Sequence, residues 1–162
     1  MNIIKLTTPN YRATRNGHKP EAIVIHIMDG SLPGTDSWFA NANSKVSAHY
    51  GVGKKGEVHQ YVLEQHTAQH AGVVDKPSWS LIKAGVNPNF YTIGIEHEGY
   101  DGNKLTAVQM QTSAELIAAI AKRWGIPLDR KHVIQHHEIR RSKTCPGSGV
   151  DIDQLISLAK QF

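Results

Sequence analysis

The sequence predicts an α/β fold: a single domain in which helices flank a mixed central β-sheet. Its 162 residues suit one hydrophobic core. Short β-branched runs alternate along the chain with segments of helical periodicity, which is the pattern of a sheet covered by helices. No internal repeat, low-complexity segment or linker divides the chain. We therefore expect residues 1–162 to form one domain.

Four extended regions are predicted. The first, EAIVIHIM, is a short apolar run closed by Asp29-Gly30, as expected of a buried strand. The pattern GVGKKGEVHQYV predicts a hairpin with Gly56 in its turn. The extended regions are residues 21–28, the hairpin arms 48–52 and 57–63, the segment YTIGIEHEG at 91–99, and residues 132–135.

Three helices are predicted, of which the middle one has the clearest signals. Thr106 and Gln109 have capping-box spacing, apolar residues then recur at helical period, and Gly125 and Pro127 end the helix. Residues 64–90 read as a long irregular loop, which is usually functional in a compact domain. The other helices run from Thr35 or Asp36 to about Ala42, after a loop at 32–34, and from Asp151 or Asp153 through Lys160.

Charge and hydropathy narrow the function classes. A net charge of +4 favours a polyanionic partner such as a nucleic acid, a membrane surface or an anionic cell-wall polymer. Basic and aromatic residues do not interleave, so we expect no nucleic-acid partner. No apolar run approaches the ~18 residues of a membrane span. The N-terminus lacks the pattern of a signal peptide, so we expect the chain to be made in the cytoplasm. We also expect it to be a monomer.

The only cysteine lies near two histidines late in the chain. A lone Cys145 excludes an internal disulfide, which leaves a buried thiol, a nucleophile or a metal ligand. Two imidazoles and a thiolate, from His26, His136 and Cys145, make a catalytic type of zinc set with a fourth position open. His137 is the rival ligand. Neighbouring residues on an extended strand face opposite sides, so both histidines should not reach one ion.

Five segments in order resemble the type-2 zinc N-acetylmuramoyl-L-alanine amidases, which share a fold with peptidoglycan recognition proteins. The segments are IVIHIMDG, VSAHYGVGKKGEVHQYV, HAGV, YTIGIEHEG and HHEIRRSKTCPG. The resemblance covers about residues 20–158. It implies one zinc ion per chain, held by His26, His136 and Cys145. It also implies hydrolysis of the amide between N-acetylmuramic acid and L-alanine in peptidoglycan or muropeptides, for wall lysis or recycling.

The resemblance also implies two catalytic residues. Glu96, in the I-G-I-E motif, would transfer the proton, and Lys143 would stabilise the developing negative charge. Glu98 is a rival to Glu96, because it should face the same way on a regular strand. The chain departs from some branches of the family at Ala48, where those branches carry a tyrosine. The proton transfer therefore falls to Glu96.

Substrate contacts are expected in the long loop. His70, in HAGV, matches a family position near the substrate groove. Asn89 and Trp79 are also expected to line the groove, with ordinary loop packing as the alternative. Arg140 and Arg141 are either solvated cations or contacts for the acidic peptide of the substrate.

Two other functions compete with the amidase. The first is a non-catalytic peptidoglycan recognition module, although such modules typically lack the metal cysteine. The second is a cysteine peptidase with a Cys–His pair. Wall-lytic families of that type place the cysteine before the histidine, whereas Cys145 follows His26 and His136. If the chain is an amidase endolysin, we expect it to act on the cell wall after release by other means.

Overall fold

A computed structural model describes all 162 residues of the chain. A mixed β-sheet forms the centre of the protein. Six strands form this sheet in the order β1-β5-β4-β7-β3-β8, and β2 pairs with β6 separately. The β4–β5 pair is an antiparallel hairpin, while β7, β3 and β8 run parallel. The strands are β1 Ile3–Lys5, β2 Tyr11–Arg12, β3 Ala22–Ile27, β4 Tyr50–Val52, β5 Val58–Gln60, β6 Thr67–Ala68, β7 Thr92–His97 and β8 Val133–Gln135.

Three α-helices accompany the sheet, so the predicted fold class is confirmed. The capping box of Thr106 and Gln109 begins α2, and Gly125 ends it in the left-handed conformation. None of the helices is both long and apolar enough to cross a lipid bilayer. The helices are α1 Leu32–Ala40, α2 Ala107–Trp124 and α3 Ile152–Ala159, with 3₁₀ turns at Ala42–Ser44, Pro88–Phe90 and His136–Glu138.

The first helix differs from its prediction. It is capped by Ser31, whose hydroxyl accepts from the backbone N–H of Gly34, and it ends at Ala40. Residues 32–34 are therefore helical rather than a loop. Pro33 is tolerated because the first turn of a helix does not need its missing N–H.

Alternation along β3 and β7 divides their side chains between two environments. Ile23, Ile25 and the matching isoleucines of β7 belong to the main core, which α2 and α3 complete. Val24 belongs to a smaller apolar cluster on the other side of the sheet. His26 and Glu96 occupy the same alternate positions as Val24, so they face away from α2 and α3.

Parallel register brings the ends of three neighbouring strands together. His26 pairs with Glu96 across β3 and β7. Ile25 pairs with Gln135 across β3 and β8, so the next residue, His136, begins beside His26. Since the carboxyl ends of parallel strands meet at one edge of a sheet, these side chains converge there.

Candidate metal and catalytic site

A cleft of about 390 Å³ opens where β3, β7 and β8 end. Its walls also include residues of α1 and of the loop after the His136–Glu138 turn. Five residues predicted as metal-binding or catalytic line this cleft, and so does His70. These six residues are His26, His70, Glu96, His136, Lys143 and Cys145.

His26, His136 and Cys145 form a compact group of potential metal ligands. One ligand atom from each residue lies within 4.8 Å of the others. The His26 Nδ1 atom is 3.8 Å from the Cys145 Sγ atom. Zinc–ligand bonds of 2.0–2.3 Å in a tetrahedron place ligand atoms about 3.5 Å apart. The donor set and its spacing therefore fit a zinc-sized ion.

His137 does not join this group. It lies with His136 in the 3₁₀ turn, where successive side chains point about 120° apart. Its backbone N–H donates to the carbonyl oxygen of Cys145 at 3.0 Å. The prediction that His136 and His137 lie on an extended strand is therefore wrong. The turn nevertheless separates the two imidazoles.

A chain of hydrogen bonds fixes the protonation of His26. The Thr92 hydroxyl donates to the Pro88 carbonyl, so its oxygen accepts from His70 Nε2 at 3.2 Å. His70 Nδ1 is then unprotonated and accepts from His26 Nε2 at 3.0 Å. This leaves the lone pair of His26 Nδ1 free on the side that faces Cys145. A hydrogen bond to the second ring nitrogen is the usual way in which proteins orient a metal-binding histidine.

Both histidines of the ligand group are neutral at physiological pH. Burial, followed by the charge of His136, lowers the pKa of His26 well below its usual value. Burial, followed by the charge of Lys143, lowers the pKa of His136 to about 4. Neutral imidazoles can bind a metal without first losing a proton. Lys143 is exposed and lines the same cleft as His136.

The pKa of the Cys145 thiol is shifted in the opposite direction from that of a reactive cysteine. Burial, followed by the charge of Glu96, raises the pKa of its thiol, although the N–H of Ile27 donates to Sγ at 3.3 Å. Nucleophilic cysteines require a lowered pKa. A bound metal cation would ionise this thiol directly.

Glu96 lies beside the ligand group with one unsatisfied oxygen. Its Oε1 atom is 4.0 Å from His26 Nδ1, and its Oε2 atom is buried without a hydrogen-bond partner. Burial, followed by the charge of Asp29, raises its pKa to about 8. A carboxyl group with a raised pKa in a cleft is a candidate for proton transfer. Its rival Glu98 instead accepts the backbone N–H of Lys54 at 2.8 Å, outside the cleft.

His70 is held in place by two features of the sequence. A Cβ atom added to Gly94 would lie 2.5 Å from the His70 ring, so only glycine lets the ring lie against β7. The buried Asn89 side chain accepts the backbone N–H groups of His70 and Ala71, at 3.1 and 2.7 Å. Asn89 was expected to line the groove. The structure places it behind the cleft, where it supports His70.

Trp79 also lies away from the cleft, contrary to expectation. It is 3% exposed and packs in the smaller apolar cluster, stacked on Tyr91. Its indole N–H donates to the carbonyl oxygen of Lys131 at 2.8 Å. The indole ring is therefore buried, and its N–H group has a hydrogen-bond partner inside the fold.

Asp29 also lines the cleft, although no sequence motif predicted a role for it. It follows β3 with a left-handed backbone, φ 51°, and its carboxylate raises the pKa of Glu96. Asp29-Gly30 was interpreted only as the end of a strand. Asp29 could have been predicted as a cleft residue, because polar residues just after parallel strands gather at one edge of the sheet.

Several known proteins resemble this chain in sequence. A family model described as N-acetylmuramoyl-L-alanine amidase matches residues 16–148. N-acetylmuramoyl-L-alanine amidase A of Achromobacter lyticus is 37% identical over 123 residues, which cover 74% of this chain and 60% of that protein. The 1,6-anhydro-N-acetylmuramyl-L-alanine amidase AmpD of Citrobacter freundii is 28% identical over 166 residues, covering 91% of this chain and 84% of that protein.

A solved structure shares the whole architecture. The crystal structure of a selenomethionine derivative of AmpD superposes with a TM-score of 0.79 at 27% identity, covering 96% of this chain and 93% of that one. The family model spans most of the chain and both lines of comparison agree with it. The chain therefore belongs to the N-acetylmuramoyl-L-alanine amidase family.

Proposed function

We propose that this chain is a zinc-dependent amidase that hydrolyses the bond between N-acetylmuramic acid and L-alanine in peptidoglycan or its soluble fragments. The observation that carries the proposal is the group of His26, His136 and Cys145 beside Glu96 in an open cleft. Family membership supports the choice of substrate. The proposed catalytic domain is residues 1–162, acting as a monomer on the cell wall or on muropeptides.

One zinc ion would be held by His26 through Nδ1, by His136 and by Cys145. When bound, such an ion acts as a Lewis acid towards the amide carbonyl and lowers the pKa of water to about 7. Three protein ligands leave one coordination position open, as in catalytic rather than structural zinc sites. His70 would keep the His26 ring in its binding orientation.

Glu96 would move the proton that hydrolysis requires. Its carboxylate takes the proton from the attacking water and passes it to the departing nitrogen of L-alanine. Without metal its pKa of about 8 keeps it mostly protonated at neutral pH. Beside a bound dication the charged form of the Glu96 carboxyl group would be favoured and its pKa lowered, so Glu96 would act as a base. Lys143, at the rim of the same cleft, would stabilise the negative charge on the carbonyl oxygen.

A cysteine-peptidase function is not supported. The pKa of Cys145 is raised by burial and by Glu96, so the thiol is not ionised in advance. His26 Nδ1 lies 3.8 Å from Sγ, but its lowered pKa makes it a poor acceptor for the thiol proton. The arrangement suits shared ligation of a cation better than a nucleophile–base pair.

The function is tested by mass spectrometry of purified sacculi digested with the protein. We expect free lactyl ends on muramic acid and new amino termini on L-alanine. A chelator should abolish both products, and added zinc should restore them. Release of products cut within the peptide or the glycan would contradict the proposal.

The ligand set is tested by metal analysis of single variants. We expect one zinc ion per chain in the wild type and in His137→Ala. His26→Ala, His136→Ala and Cys145→Ala should each lose the metal and unfold at lower temperature, because metal-binding energy is shared with folding. His137→Ala is the matched control, since it removes the neighbouring imidazole alone. Loss of zinc from His137→Ala with retention in His136→Ala would reverse the assignment.

The role of Glu96 is tested by Glu96→Gln, with Glu98→Gln as its control. Glu96→Gln preserves the shape of the side chain but removes the proton acceptor. We expect normal zinc content and fold with turnover lower by roughly 10²–10⁴, the usual contribution of general acid–base catalysis. Glu98→Gln should have a much smaller effect. Near-normal turnover by a zinc-loaded Glu96→Gln protein would place the base elsewhere.

A further inference from the structure

An exposed tryptophan at the rim of the cleft is not used by the proposed chemistry. Trp38 lies near the end of α1, lines the cleft and is 54% exposed. The other two tryptophans are accommodated within the fold. Trp79 is buried, and Trp124 is half-buried with its indole N–H donating to Glu64 at 2.6 Å. A large aromatic side chain exposed in a concave site is a candidate for ligand contact, because aromatic residues commonly line such sites.

The backbone that carries Trp38 is well anchored. Its neighbour Phe39 is buried and packs edge-on against Tyr61, with ring centres 4.9 Å apart. The carbonyl oxygen of Phe39 accepts hydrogen bonds from the Thr8 hydroxyl and from the side-chain amide of Asn10. The last turn of α1 is therefore tied to the rest of the fold, so the indole is held at the rim before any ligand arrives.

The side of the cleft that contains Trp38 has no charged side chain. Phe39 packs in a cluster with residues that flank β4 and β5, so this side lies on the β4 side of Glu96. Lys143 belongs to the loop that follows β8, at the other end of the sheet order β4-β7-β3-β8. A neutral side and a cationic side therefore face each other across His26 and Glu96. We call the neutral side the α1 wall, and it consists of Thr35, Trp38, Phe39, Val46, Ser47 and Gln69.

The two parts of the proposed substrate differ in the same way. The peptide stem carries free carboxylates, which a cation such as Lys143 attracts. The N-acetylmuramic acid ring carries only hydroxyl and acetamido groups once its lactyl carboxyl is part of the amide bond. Only the lactyl ether separates this ring from the scissile carbonyl, so the ring must lie in or beside the cleft. A volume of about 390 Å³ is within the range of small-molecule sites, and the uncharged α1 wall matches the uncharged ring.

We propose that Trp38 stacks on the N-acetylmuramic acid ring, which directs the sugar to the α1 wall and the peptide stem towards Lys143. This inference rests on the amidase function proposed above. The face of a pyranose ring presents C–H groups, which are attracted to the electron-rich face of an indole. Stacking also removes exposed apolar surface from water. Trp38 is the only exposed aromatic side chain that lines the cleft.

The first experiment compares two synthetic substrates with the same scissile amide. One is an N-acetylmuramoyl tripeptide, and the other is a D-lactyl tripeptide in which a methyl group replaces the sugar on the ether oxygen. We expect the zinc-loaded wild type to prefer the muramoyl substrate by roughly 10- to 100-fold in kcat/KM. Trp38→Ala should lose roughly tenfold on the muramoyl substrate and should cleave the lactyl substrate at the wild-type rate.

Two further variants separate stacking from fold. Trp38→Phe keeps a smaller flat ring, so its preference should be intermediate. Phe162→Ala removes an exposed aromatic side chain between α2 and α3, outside the cleft, and should keep the full preference. Equal cleavage of both substrates by the wild type, or a Trp38→Ala loss that is the same for both, would overturn this assignment and leave the amidase function intact. Failure of the wild type to cleave the muramoyl substrate would overturn the amidase function itself.

Binding of the two reaction products tests the same contact without turnover. The ¹H–¹⁵N spectrum of the zinc-loaded protein contains one indole signal for each of the three tryptophans, so Trp79 and Trp124 are internal controls. Adding N-acetylmuramic acid should shift the Trp38 signal alone. The product peptide L-alanyl-γ-D-glutamyl-L-lysine should leave all three signals in place. A Trp38 signal that moves with the peptide but not with the sugar, or with neither, would overturn the assignment.

Discussion

The hydrogen bond between His26 Nε2 and His70 Nδ1 determines which ring nitrogen of His26 is free at the cleft. It leaves Nδ1 of His26 unprotonated and directed at Cys145, so the proposed ligation of a metal by this group depends on it. The bond exists because Thr92 fixes the far side of the His70 ring. Gly94 gives that ring the space it occupies. Gly94, in the middle of β7, thus permits the contact between His70 and His26 at the edge of the sheet.

The sheet itself supplies the rest of the site. Alternation along β7 sends Glu96 into the cleft and His97 into the core, where its ring contacts Ser113 and the His26 carbonyl oxygen. His97 therefore steadies the backbone of His26 from the opposite face. The end of the strand after His97 takes Glu98 out of the cleft. For this reason Glu96 lies in the cleft, whereas Glu98, two residues later in the same motif, lies outside it.

Local signals in the sequence were sufficient for the fold class, for α2 and for the strands that carry His26 and Glu96. Local signals could not identify β1, which is short and depends on pairing with the distant β5. Local signals also could not separate buried from exposed side chains in residues 64–90. Trp79 and Asn89 were therefore expected in the groove, whereas both are buried outside the cleft. The contact of His70 with His26 and the different burial of Arg140 and Arg141 arise only from tertiary packing.

We expect His70 to hold His26 with its Nδ1 atom free to bind metal. Long-range ¹H–¹⁵N NMR spectra of the metal-free protein, labelled with ¹⁵N-histidine, report directly which ring nitrogen carries the proton. We predict a proton on Nε2 of His26 and none on Nδ1, with that preference weakened in His70→Phe. A proton on Nδ1 of His26 in the wild type would contradict it.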